Sequence, residues 1–73
     1  MNKLANLLDR IGKQDRELKN RIIRFISADA NRYIKLDKIS KKSDDKVIEE
    51  LINLSIKYRF INENDINKLR EIV

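Results

Sequence analysis

The sequence predicts an all-α fold, a small bundle of four to five helices. Turn punctuation is almost missing: there is no proline, a single glycine (Gly12), and no Asn-Gly or Asp-Gly pair to close a hairpin. Ile and Leu recur at alternating steps of three and four residues, the spacing of an apolar helix seam. At 41% hydrophobic residues the chain is too apolar for disorder, although 40% of it is charged.

The elements follow from that spacing. Leu4, Leu8 and Ile11, then Leu18, Ile22 and Phe25, continue one seam, and Asp15 holds its one position that is not apolar. A short carboxylate in that place is suited to cap a new helix. The expectation is one helix to about Ile11 and a second from Asp15 to about Ala28, with continuity through Gly12 left open. Asp29 to Tyr33 shows no apolar period and is expected as a loop, after which Ile34, Leu36 and Ile39 predict a short helix ending near Lys42. Ser43 with Asp44 and Asp45 behind it is the clearest helix start, since carboxylates in a first turn oppose the positive end of the helix dipole. Val47, Leu51, Leu54 and Tyr58 form one stripe with Ile48, Ile52 and Ser55 beside it, which predicts a central core helix to about Arg59. Asn62 and Asp65 have the spacing of a capping box, with Asp where Glu or Gln is usual, and open a last helix carrying Ile66, Leu69, Ile72 and Val73.

Seventy-three residues form one helical domain, and a domain of this size buries only about 60–65% of the surface its unfolded chain exposes. The usual supplements to such a small core are disulfides, metals or oligomerisation. Without cysteine or histidine the first two are closed in their common forms, and no cofactor is expected. A homodimer or a protein partner remains open, with the first helix, residues 1–12, as its possible element. No leader pattern and no apolar run near 18 residues is present, so cytoplasmic residence is expected and a membrane is not.

Charge is laid out unevenly. Residues 1–42 carry twelve Lys/Arg against five Asp/Glu, whereas residues 43–73 carry five against seven. Such asymmetry points to an anionic partner engaged through one half of the chain. Lys13, Arg16, Asn20 and Arg24 share one side of the second helix, opposite Ile11, Leu18, Ile22 and Phe25. That face reads either as a ladder of phosphate contacts or as the solvated back of an amphipathic helix. Arg32, Tyr33, Lys35, Lys38, Lys41 and Lys42 make a second basic patch, with Asp37 as its only acid. Tyr33 is open to two roles, stacking on a ligand or standing at the edge of the core. The run Lys57, Tyr58, Arg59, Phe60 interleaves basic and aromatic residues like a single-strand platform, but the helical stripe sends Tyr58 to the core and the dipole accounts for the cations. The better reading of that run is structural.

Catalysis is not expected. His and Cys are absent, there is no glycine-rich phosphate loop, and the carboxylates sit at caps or beside lysines. The chain is read as no enzyme, with no small-molecule substrate.

Residues 15–61 carry a resemblance to a known superfamily. A short helix with buried Ile39, a polar turn from Lys41 to Asp44, and a longer helix with Val47, Leu51 and Leu54 on its inner side, closed by Phe60 and Ile61, resemble the helix-turn-helix core of winged-helix proteins. The resemblance implies a trihelical core, its first helix starting at Asp15, and DNA binding. The wing departs from it, since Asn62 to Asp65 caps a further helix where a hairpin should begin. The reading helix departs too, because its first turns hold Asp44, Asp45, Glu49 and Glu50, which phosphates would repel.

The leading expectation is therefore a basic nucleic-acid-binding module, DNA favoured, of low sequence specificity and with a regulatory role in transcription or an accessory one. Its phosphate contacts would be Lys13, Arg16, Arg24, Arg32, Lys35, Lys38, Lys41 and Lys42, which hold register without reading bases. Leu4, Leu8 and Ile56 are the expected dimer or partner interface. The alternative is a protein–protein adaptor or dimerisation domain without nucleic-acid contact.

Overall fold

Each helix begins where a short polar side chain stands ready to take a free backbone N–H. In the computed structural model, which describes residues 2–72, Asn2 accepts from the Ala5 amide at 3.0 Å and opens α1, Lys3–Gln14. Asp15 accepts from the Leu18 amide at 3.1 Å and opens α2, Arg16–Ser27. Asp29 accepts from Asn31 N–H at 2.9 Å before α3, Ala30–Ser40, and Ser43 Oγ accepts from Lys46 N–H at 3.2 Å before α4, Asp44–Tyr58. At α5, Glu63–Ile72, the box is reciprocal: Asn62 Oδ1 accepts from Asp65 N–H at 2.9 Å, and Asp65 Oδ2 accepts from Asn62 N–H at 3.3 Å. The shorter Asp thus serves where Glu or Gln is usual.

The fold is an all-α bundle of five helices, with no strand among the described residues. α1 packs on α2, α3 and α5, while α3 lies between α2 and α4. One core gathers Leu4, Leu7, Leu8 and Ile11 of α1, Leu18, Ile22 and Ile26 of α2, Leu36 of α3, Val47, Ile48 and Leu51 of α4, and Ile61 and Leu69. Val73, expected on the last helix, lies outside the described residues.

Four readings are corrected. Leu4 and Leu8 are not an interface: Leu4 is 0% exposed and Leu8 9%, because α2, α3 and α5 cover the apolar face of α1. The first helix is accordingly part of the domain's own core and not a separate partner element. It also runs through Gly12 to Gln14, since one glycine costs a helix only about 1 kcal/mol. Gly12 is instead a contact point, where an added Cβ would stand 2.6 Å from Lys19 Cδ. Asp29 to Tyr33 is a cap and a first helical turn; it carries no apolar period because its apolar side chains, Ala30 and Tyr33, are exposed. Tyr58 stands 46% exposed at the rim, as α4 ends there and Arg59 turns the chain away in a left-handed conformation.

Leu4→Ala removes a fully buried side chain and is expected to lower the unfolding free energy by about 2–5 kcal/mol, whereas Ile34→Ala, at an exposed site, stays within about 0.5 kcal/mol. Urea denaturation of the two variants checks the pair. Equal midpoints would contradict the placement of α1 in the core.

Candidate nucleic-acid interface

α3 supplies the most coherent basic face. Leu36 and Ser40 turn inward, so Ile34, Lys38, Lys41 and Lys42, which fall within about 100° of one another at helical spacing, look outward. Lys38 and Lys42 have no ion-pair partner among the described residues, and Lys41 reaches Asp37 only at 4.0 Å. These cations also stand at the C-terminal end of the helix, where free carbonyls favour positive charge. Lys35 differs, because its Nζ lies 2.8 Å from Glu50 of α4.

On α2 the exposed side presents Arg16, Asn20 and Arg24, and neither arginine has a carboxylate partner among the described residues. Lys13 does not extend this row. Asp15 holds φ −157° and ψ 104°, which breaks the helix and leaves Lys13 in the last turn of α1, beside Arg10, Gln14 and Glu71. Arg32 is taken inward: its guanidinium lies 3.9 Å from the Phe25 ring centroid and 4.8 Å from that of Tyr58, and it donates to the Phe25 carbonyl at 3.0 Å. Phe25 in turn stacks on Phe60 at 4.0 Å between ring centroids, so Tyr58 and Phe60 join a half-buried aromatic cluster at the rim of the core. Tyr33 is exposed, and its hydroxyl accepts from Asn2 Nδ2 at 3.1 Å.

The acids at the start of α4 are partly answered within the chain. Arg10 pairs with Asp44 and Lys35 with Glu50, while Asp45 and Glu49 stay exposed without partners among the described residues. The shallow groove between α3 and α4 is lined by Lys42, Lys46, Glu49 and Glu50, a mixed surface. Lys3 and Lys46 are exposed cations outside the expected set; each stands beside apolar positions of the core seam, which drew attention away from it. Among the described residues no helix is long and apolar enough to cross a membrane.

Two ion pairs shift titrations. The hydrogen bond from Lys68 Nζ, at 2.6 Å, and then that from the Leu18 amide hold the Asp15 carboxyl below the usual aspartate value, and Lys68 is raised in return. Lys19, at 2.8 Å, lowers Asp9 in the same way. Comparison with protein-family models, curated proteins and solved structures finds no match for the chain.

A lowered carboxyl pKa means that the folded chain binds fewer protons, so stability rises with pH through that range. The contributions of Asp9 and Asp15 are complete above their ordinary value of 3.8 and fade as pH falls through the lowered one. The Lys68 contribution is complete below 10.5 and is lost as pH rises through its raised value. Thermal unfolding is expected to be flat between these limits and to fall on the acid side, with a shallower acid limb in Asp15→Asn, which keeps a capping oxygen but not the charge. An acid limb unchanged by Asp15→Asn would contradict the pairing.

Proposed function

We propose that this chain is a small nucleic-acid-binding module, DNA favoured, which holds phosphates through the outer face of α3 and the exposed side of α2. The observation that carries the reading is the residue of charge left after folding. Of the twelve cations in residues 1–42, Arg10, Lys19, Arg21, Lys35 and Lys41 meet carboxylates and Arg32 meets aromatic rings, which leaves Lys3, Lys13, Arg16, Arg24, Lys38 and Lys42 unpaired among the described residues. Lys38, Lys41 and Lys42 gather this charge at the C-terminal end of α3 and the turn after it, with Asp37 at one edge and Glu49 and Glu50 across the groove that Lys42 also lines. Phosphate contacts of this kind fix register without reading bases, so low sequence specificity follows.

The helix-turn-helix resemblance enters the proposal with its usual roles altered. α3 supplies the phosphate contacts, and the acid-rich start of α4 stays out of the groove. A regulatory or accessory role suits a module that binds widely.

Anisotropy of a labelled generic duplex across salt concentrations tests the proposal. Each neutralised phosphate contributes about −0.9 to the slope of log affinity against log salt, so three to five contacts give a slope of about −3 to −4.5. Lys38→Glu with Lys41→Glu and Lys42→Glu, all on exposed positions, is expected to keep the helical signal and lose most of the binding. Wild-type affinity in that triple variant, or no binding at low salt, would overturn the proposal.

A further inference from the structure

The outward face of α4 is patterned for an antiparallel copy of itself. Glu49, Ile52 and Ile56 fall within about 60° of one another along the helix, and Ile56 is the most exposed large apolar side chain among the described residues, at 67%. With Ile66 of α5, Ile52 and Ile56 floor a groove of about 560 Å³ between the two helices, edged by Arg59 and Arg70, with Glu63 the one acid in its lining. Arg59 and Glu49 have no ion-pair partner among the described residues.

Arg59 is also the one non-glycine residue with positive φ among those described, at φ 55° and ψ 42°. A glycine would occupy this helix-ending position without steric cost. The backbone there gains nothing from an arginine, whose exposed side chain meets the helix dipole and is free to meet a partner as well.

The spacing supplies the occupant. Ile52 and Ile56 lie symmetrically about residue 54, and so do Glu49 and Arg59. An antiparallel partner centred there sets Ile52 against Ile56 of the second copy and Glu49 against its Arg59, twice over, as a two-fold interface requires. We propose that the chain forms a symmetric homodimer through α4 and the α4–α5 groove. The apolar pairs are enclosed at both ends by Glu49–Arg59 ion pairs between the copies, and the small single-chain core is extended by the covered isoleucines. The apolar part of this surface lies toward α5, away from α3, while Glu49 borders the groove that Lys42 also lines; the dimer needs no nucleic acid to form.

Sedimentation equilibrium without nucleic acid, over about a thousandfold range of concentration that brackets a micromolar to millimolar dissociation constant, reads the outcome. Wild type is expected to shift from monomer to dimer, and Ile56→Glu to remain monomeric with unchanged helicity. Arg59→Gly relieves the backbone and is expected to fold at least as well while weakening the dimer by about tenfold or more. The decisive arm is a charge swap: Glu49→Arg alone and Arg59→Glu alone are monomeric, and their equimolar mixture restores the dimer because each copy then meets opposite charge at both ends. Wild type that stays monomeric throughout, a dimer indifferent to Ile56→Glu, or a mixture that fails to associate would each overturn the assignment.

Discussion

A single carboxylate ties three helices together. The Asp15 N–H donates to the Ile11 carbonyl at 2.9 Å and closes α1; its side chain accepts from the Leu18 amide at 3.1 Å and opens α2; and it accepts from Lys68 Nζ of α5 at 2.6 Å. An uninterrupted helix from Lys3 to Ser27 would span about 36 Å, while the molecule's longest axis is 28 Å. Without the break, Leu4, Leu7 and Ile11 could not share a core with Leu18, Ile22 and Ile26, and α3 would lose the surface on which it rests. Lys19, held by Asp9 and packed over Gly12, fastens the fold-back from its other side.

Folding also redistributes the charge. The basic part of the chain answers much of the acidic part: Arg10 meets Asp44, Arg21 meets Asp65, and Lys35 meets Glu50. An exposed pair such as Arg10–Asp44 contributes little, while Asp65 is buried where Arg21 reaches it; in each case the pairing decides which charges remain available to another molecule. What is left divides into a mainly cationic end of α3 and a face on α4 that carries both signs with isoleucine between them. Two faces of different chemistry suit two different kinds of contact.

Caps were the most legible part of the sequence, because they depend on chemistry within three residues. Asp15, Ser43 and the Asn62–Asp65 pair stand where they were expected. Asn2 and Asp29 cap helices without such a signal; behind Asp29, Asn31, Arg32 and Tyr33 bury no apolar side chain and leave no period to see. Periodicity identified the apolar face of α1 but not what covers it, so Leu4 and Leu8 could be assigned equally well to a core or to an interface until α2, α3 and α5 were in place. The basic residues divided along the same line. Lys38 and Lys42 needed only their own helix to be placed outward, whereas the fates of Arg32 and Lys35 depended on Phe25, Tyr58 and Glu50, partners that lie across the tertiary structure.

The break at Asp15 is what the whole account rests on, and the absence of native cysteine makes it directly measurable. Spin labels at Lys3→Cys and Ser27→Cys, both exposed positions, report the span of α1 and α2 by pulsed dipolar spectroscopy. The Asn2–Tyr33 hydrogen bond draws the start of α1 back toward the chain just beyond α2. The predicted separation, taken between Cα atoms, is inside the 28 Å long axis; a separation near the ~36 Å of one straight helix would contradict the account.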